Sequence, residues 1–293
     1  MTRETADPQR PPVVAAVADV RARIARARAA GRSIALVPTM GALHAGHASL
    51  LKAAAQGGAF VVASIYVNPT QFGPAEDFHN YPRTLERDLD VCRETGVDLV
   101  FAPPHSEMYA ENDQTRIRVG ALAETLCGPH RPGHFEGVCT VVAKLFCIVA
   151  PDVAYFGRKD AQQAVVIRRM VRDLHIPARI EVCPIVREPD GLAMSSRNAR
   201  LSAEDRAKAL ALYQALKTGE WLLHQGETSA GKTIAAMRAV LAAHSDLKVD
   251  YLSIVNPDTL EDVDPPRGDC MIAGAIRIGD VRLIDNLIVN VTG

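Results

Sequence analysis

Apolar positions along the first 186 residues alternate between short continuous runs and stretches with helical spacing. Residues 13–29 carry their apolar side chains at three- and four-residue intervals and predict an opening amphipathic helix. Residues 34–37 form a short apolar run that reads as a buried parallel strand. Pro38, Gly41 and Gly46 break that run, and an alanine- and leucine-rich helix follows from about Gly46. A β-rich run covers 60–67, a helix with Arg, Glu and Asp on one side covers 84–95, and a strand over 97–102 is stopped by Pro103 and Pro104. Residues 137–149 then read as a buried helix, 153–156 as a strand, 161–174 as a helix and 179–186 as a strand. Strands alternating with helices predict an α/β fold with a doubly wound parallel sheet, which binds ligands at the carboxyl ends of its strands.

The pattern changes after about Pro184. Two helical stretches, 203–224 and 229–244, lead into β segments over 249–255, 270–278 and 283–289. Helices followed by strands predict a small α+β domain. The expected division is therefore residues 1–185 as the larger domain and 186–293 as a smaller C-terminal domain covering the active site.

Composition narrows the function classes. The chain has 293 residues, 48% hydrophobic and 23% charged, an ordinary globular mix. A formal net charge of -1 supplies no global basic field, so nucleic acid is not an expected partner. Small anionic substrates need only a local cluster of cations. No apolar run is long enough to span a bilayer, and Lys144 interrupts the most apolar candidate, so no membrane partner is expected. The arginines between Arg21 and Arg32 faintly suggest a transit peptide, but Glu4, Asp7 and Asp19 argue against one; a disordered leader of about ten residues before a surface helix is expected instead. A cytoplasmic location follows by default. The six cysteines are scattered and form no C-x-x-C pair, which indicates neither a disulfide framework nor a zinc site.

Candidate chemistry starts where the first strand meets its helix. There the chain reads Met40, Gly41, Ala42, Leu43, His44, Ala45, Gly46, His47. A strand, a glycine-containing turn and a helix N-terminus make an anion site, because unpaired N–H groups point out of the helix start. Two imidazoles beside them can meet phosphate oxygens. At the end of the next strand, Asn68 and Gln71 are amides placed to bind a ligand with a hydroxyl and a carboxylate. Asn68-Pro69-Thr70 is also ordinary turn chemistry, and for Asn68 both interpretations stay open.

The polar stretch 73–83, with Tyr81 and Arg83, predicts a mobile flap. Asp77, Asp88 and Asp90 are carboxylates of the kind that helps hold magnesium, though solvated surface positions are expected for all three. His130 and His134 have the helical spacing of zinc ligands, but Pro132 and Gly133 between them break that geometry. Gly157, Arg158, Lys159 and Asp160 follow a short strand, with Asp160 placed as a helix N-cap, Lys159 aimed at the same face as the two histidines and Gln163 one turn further. Val186 precedes a Pro189-Asp190-Gly191 turn that leads to Met194, Ser195, Ser196 and Arg197, two hydroxyls and a guanidinium suited to a polyphosphate. Gly226 to Thr233 matches the P-loop pattern letter for letter. The residues before it are helical rather than a strand, so a solvated helix–loop–helix connection is expected.

His-x-Gly-His at a helix start is a signature of the adenylate-forming nucleotidyltransferases and class I tRNA synthetases, whose Met-Ser-Lys-Ser-type loop resembles Met194 to Arg197. Taken together, the stretches 37–47, 66–72, 76–84, 131–142, 157–163 and 187–198 resemble the pantothenate synthetases, or pantoate–β-alanine ligases, in the order of that family. The resemblance implies a Rossmann-like sheet of the class I synthetase type. It implies that ATP and (R)-pantoate form pantoyl adenylate and pyrophosphate, after which β-alanine displaces AMP. It assigns ATP binding to Met40 through His47, Gly157 through Asp160, Val186 and Met194 through Arg197. It assigns Gln71 to pantoate and β-alanine and Gln163 to pantoate, makes His47, His44, Lys159 and Arg197 catalytic, and implies Mg²⁺ and a homodimer. Neighbouring possibilities are another nucleotidyltransferase of the superfamily, such as a pantetheine-phosphate adenylyltransferase, and a non-catalytic nucleotide sensor. The first does not explain the segment 68–72 plus the Met194 to Arg197 loop, and the second predicts missing cations, whereas His44, His47, Lys159 and Arg197 are all present.

Overall fold

The computed structural model describes residues 10–74 and 76–292; the expected leader lies outside the described residues. In chain order the elements are β1 (Val13–Val14), α1 (Val17–Ala29), β2 (Ile34–Thr39), α2 (Ala45–Gln56), β3 (Phe60–Ile65), α3 (Leu85–Glu94), β4 (Leu99–Phe101), α4 (His105–Met108), α5 (His134–Val149), β5 (Val153–Gly157), α6 (Ala161–Asp173) and β6 (Arg179–Cys183). They are followed by α7 (Ala203–His224), α8 (Ala230–Ala242), β7 (Leu247–Val255), β8 (Gly268–Ile278) and β9 (Val281–Val291). The chain divides into two units: residues 1–118, 133–157 and 167–183, and residues 119–132, 158–166 and 184–293.

The first unit holds a six-stranded sheet in the order β1-β4-β3-β2-β5-β6, with every pairing parallel. Parallel strands buried on both faces need continuous apolar sequence, and four of the six residues of β2, Ile34 to Val37, are at most 1% exposed. Ala35 and Val37 join Leu51, Val61 and Ala63 in the core under α2 and α3. Ile34 and Leu36 point the other way, to the face on which α1 and α5 meet β2.

The strand order reverses between β2 and β5, the switch point where an open α/β sheet forms its crevice. β2 pairs with β5 only at Ala35 and Leu36. Beyond Leu36 the β5 side of β2 carries no ladder, which tolerates Pro38 and its missing N–H. The strand therefore runs past Pro38 to Thr39 instead of breaking there.

Two other elements begin elsewhere than their periodicity predicts. Residues 13 and 14 form an edge strand rather than helix, because the Pro12 and Val14 carbonyls accept from Val100 and Ala102 N–H groups at 3.0 and 2.9 Å. α1 starts at Val17, whose N–H donates to the Glu107 carboxylate at 2.6 Å. α5 starts at His134, three residues before the start at 137 that its apolar pattern predicts.

The second unit is built on a three-stranded antiparallel sheet in the order β7-β8-β9. β8 alternates cleanly: Cys270, Ile272, Ile276 and Ile278 join the core with α7 and α8, while Met271 and Ala273 pack with Val165, Val255 and Leu260. The single cut expected after residue 185 describes only part of this division, because residues 119–132 and 158–166 belong with the C-terminal segment. Gln162 Nε2 donates to the Leu122 and Thr125 carbonyls at 2.9 and 2.7 Å, and its Oε1 accepts from Cys127 N–H at 2.9 Å. Asn286 of β9 holds the Arg158 and Lys159 carbonyls.

Candidate active site

Within the first unit, the carboxyl end of β2 delivers Met40 to His47 to the switch point. Gly41 has φ 79°, and a Cβ there would lie 3.0 Å from Asp88 Oδ2 and 3.1 Å from Ile65 Cγ2, so the turn is built for glycine. Asp88, in α3, is 1% exposed and turns its carboxylate into this bend. Its Oδ2 accepts from Ala42 N–H at 3.0 Å, and its Oδ1 accepts from Leu43 N–H at 2.8 Å and Thr84 Oγ1 at 3.1 Å. The expectation of a solvated Asp88 is thus corrected: its oxygens are committed to the turn that precedes α2. Asp90 pairs with Arg10 at 2.7 Å and with Arg93 at 3.7 Å.

His44 is the N-cap of α2 and forms a capping box with His47 at the third helical position. Nδ1 of His44 accepts from Gly46 N–H at 3.1 Å, and Nδ1 of His47 accepts from His44 N–H at 3.4 Å. The ring centroids are 4.1 Å apart. An Nδ1 that accepts is unprotonated, so each neutral ring carries its proton on Nε2 and presents a donor there. Two imidazole donors and the positive end of a helix make a site for an anion.

Gln71 lies in a 3-10 turn, Pro69–Gln71, after β3. Asn68 is 1% exposed; its Nδ2 donates to Gln71 Oε1 at 3.2 Å and to the Gly137 carbonyl at 3.1 Å, while its Oδ1 accepts from Thr70 Oγ1 at 3.0 Å. Asn68 therefore orients Gln71 from the start of the turn. Gln71 Nε2 reaches Met40 Sδ at 3.1 Å, joining the ends of β3 and β2. His134 Nδ1 is 2.8 Å from the Gln71 carbonyl. Gly137, one turn into α5, packs against this segment so closely that a Cβ would sit 2.3 Å from the Thr70 oxygen. Neither contact is visible in sequence, although a glycine inside an apolar helix is the signal for a close backbone approach. In the stretch expected to be a flap, Phe72 meets Phe78 and Tyr81 edge-on at 5.5 and 5.9 Å, and Arg83 donates to the Tyr81 carbonyl at 3.0 Å.

Gly157 ends β5, and a 3-10 turn of the second unit, Arg158–Asp160, leads directly into α6. Arg158 is exposed, Lys159 is partly buried with Nζ 3.9 Å from Asp160, and Gln163 is half-buried. The second cationic segment is a tight hairpin: Met194 N–H donates to the Val186 carbonyl at 3.0 Å and Glu188 N–H to the Leu192 carbonyl at 2.8 Å. Ser195 caps the following 3-10 turn, Ser196–Arg200, through Oγ to Arg197 N–H at 3.2 Å. Asn198 Nδ2 ties that turn to Glu188 at 2.7 Å and to the Ala193 carbonyl at 3.1 Å.

The P-loop look-alike joins α7 to α8. Ser229 caps α8, and the Lys232 side chain is 77% exposed. Among the described residues no three His, Cys, Asp or Glu side chains group as a metal site. Among them, too, no helix is long and apolar enough to cross a membrane.

The sequence profile described as pantoate-beta-alanine ligase matches residues 12–288. The chain belongs to this family. A pantothenate synthetase from Acetivibrio thermocellus is 50% identical over 95% of the chain and 99% of its own length. The crystal structure of pantothenate synthetase from Thermus thermophilus superimposes with a TM-score of 0.90 at 48% identity, covering 96% of this chain and 99% of the other. A pantoate–β-alanine ligase from Francisella tularensis, complexed with beta-gamma ATP and β-alanine, matches with a TM-score of 0.78 at 33% identity over 95% and 97% of the two chains. This pantoate–β-alanine ligase fold is the Rossmann-like parallel sheet with a smaller α+β unit. The enzyme condenses pantoate with β-alanine at the expense of ATP, through an adenylate, to give pantothenate.

Proposed function

We propose that the ATP-dependent reaction runs on the residues just described, with the histidine capping box at the start of α2 as the observation that carries the assignment. The pantoate carboxylate attacks the α-phosphorus of ATP; a P–O bond forms, the bond to pyrophosphate breaks, and pantoyl adenylate results. The β-alanine amine then attacks the acyl carbon and AMP leaves. A carboxylate is a poor electrophile, and the adenylate supplies its leaving group. No covalent enzyme intermediate is required.

Met40 through His47 bind ATP together with Gly157 through Asp160, Val186 and Met194 through Arg197. His44 and His47 donate from Nε2 to phosphate oxygens, and Lys159 and Arg197 add positive charge as negative charge spreads over the departing pyrophosphate. With Nδ1 of each ring engaged in the capping bonds, Nε2 is the atom assigned to phosphate. Gln71, oriented by Asn68, binds pantoate and β-alanine, and Gln163 binds pantoate. The described carboxylates offer no assembled cage, with Asp88 committed to backbone N–H groups. Mg²⁺, implied by the family resemblance, would neutralise phosphate charge alongside Lys159 and Arg197. The family resemblance supports a homodimer working in the cytoplasm, which sedimentation of the purified protein and cell fractionation test.

ATP–pyrophosphate exchange with (R)-pantoate as the sole carboxylate tests the assignment. Exchange that requires pantoate and Mg²⁺, and that falls about a hundredfold or more in Lys159→Ala, is the expected result. Pantoate-independent exchange, or near-normal exchange in that variant, overturns it.

A further inference from the structure

Two polar residues interrupt the apolar strand β9, and both are nearly inaccessible: Asp285 is 4% exposed and Asn286 is 3% exposed. Successive strand residues face opposite ways, so each serves a different neighbour. Asn286 spends both amide hydrogens on the turn that carries Lys159, donating to the Arg158 carbonyl at 2.9 Å and the Lys159 carbonyl at 3.1 Å. Asp285 receives the planar fork of Arg187 at 2.6 and 2.9 Å. Arg187 lies at the base of the hairpin that leads to Met194 and Arg197; its Nη1 also donates to the Gly191 carbonyl at 3.0 Å, and it stacks on the Tyr213 ring at 4.2 Å. Burial pushes the Asp285 carboxyl above its ordinary range, against the opposing pull of Arg187 and the field of Lys159.

Keeping such groups in the middle of a strand is costly unless each is bonded, and an apolar pair would fill the same space. Apart from Asn286 N–H, which donates to Asp285 Oδ1 at 2.8 Å, the bonds made are not to the strand's own sheet. They run to the two segments that carry the polyphosphate-directed cations. We infer that Asp285 and Asn286 are positioning residues for adenylation, adjacent on one strand, which fix the Lys159 turn and the Arg187 hairpin in one frame. Asn286 does this through main-chain carbonyls and Asp285 through Arg187. Neither touches substrate. The inference rests on the assignment of Lys159 and Arg197 proposed above.

The two half-reactions separate this role from plain structural support. Asn286→Asp keeps the size of the side chain but replaces the donating amide by an oxygen that faces two carbonyls; Asn286→Ala removes the group outright. Displacing a reactive group by about 1 Å costs about a hundredfold in rate. Both variants are therefore expected to lose about a hundredfold in pantoate-dependent ATP–pyrophosphate exchange, while β-alanine still consumes supplied pantoyl adenylate within about threefold of wild type. A variant that is merely less folded loses both half-reactions by the same factor, and that result overturns the inference, as does undiminished exchange in both variants. A wild-type enzyme without pantoate-dependent exchange overturns the assignment of the site and this inference with it.

Discussion

His44 and His47 hold the same helix start through the same ring atom. Nδ1 of His44 accepts from Gly46 N–H at 3.1 Å and Nδ1 of His47 from His44 N–H at 3.4 Å, with the rings 4.1 Å apart. Each imidazole thus has a structural half, Nδ1, and a half proposed to meet phosphate, Nε2, and the two separate by substitution. Asparagine is among the best N-caps but ends short of the phosphate-directed Nε2. His44→Asn is expected to melt within about 2 °C of wild type while pantoate-dependent exchange falls about a hundredfold. His44→Ala loses the cap as well, about 1 kcal/mol, and melts lower. Thermal unfolding beside exchange kinetics checks both; equal losses of stability in the two variants contradict the capping role.

Asp88 makes the turn before α2 depend on a residue from another helix. Its two oxygens satisfy the Ala42 and Leu43 N–H groups in a buried setting. In Asp88→Asn one of those N–H groups faces an amide NH₂ instead of an acceptor, at a cost of about 1–3 kcal/mol. Because the distorted turn is the one that presents His44, the ATP KM is expected to rise along with the loss of stability. Urea unfolding and initial rates at varied ATP measure the two effects; an unchanged KM means that the turn tolerates the loss.

What is legible in sequence is local. His44, Gly46 and His47 sit within four residues of one another directly after a strand, so spacing and chemistry appear together. The same holds for Lys159 behind β5 and for the hairpin from Arg187 to Arg197. The role of Asp88 is hidden because α3 is rich in charge, and nothing in an amphipathic helix says which carboxylate reaches a turn forty-five residues away in sequence. Residues 13 and 14 read as helix because an edge strand of two residues leaves almost no alternation to see; pairing with β4 decides their state. Asp285 and Asn286 do leave a signal, a charge and an amide inside an apolar strand, which long-range bonds to 158, 159 and 187 explain.

The match to the P-loop pattern makes its own prediction. Gly231 lies in the first turn of α8, with only Ser229 Oγ near a built Cβ, at 3.7 Å, and Lys232 is solvent-exposed. Gly231→Ala is expected to stabilise the protein by up to about 1 kcal/mol through helix propensity, and Lys232→Ala to leave exchange unchanged. A true phosphate-binding loop would respond oppositely, losing activity in both variants. Melting curves and exchange rates of the two proteins decide between them.

Arg206 of α7 sets how the hairpin responds to acid. Its guanidinium lies 2.6 Å from both Glu188 and Asp190. The Arg206 hydrogen bond, helped by Asn198, holds the Glu188 carboxyl below its ordinary value despite burial. Burial pushes the Asp190 carboxyl up, but the Leu192 N–H and Arg206 bring it below its ordinary value. Both acids therefore lose protons more readily in the folded chain than in the unfolded one. Their stabilisation is complete above the ordinary carboxylate range and is lost as pH falls through the lowered folded values. These side chains are partly exposed, so the contribution is about 1 kcal/mol. Arg206→Met is expected to be less stable than wild type by that amount near neutral pH. The gap should close between roughly pH 5 and pH 3, as the unfolded-state carboxylates protonate first and the folded ones follow. Urea unfolding of the two proteins across that range measures the gap. A difference that stays constant or widens toward acid contradicts the assigned role of Arg206.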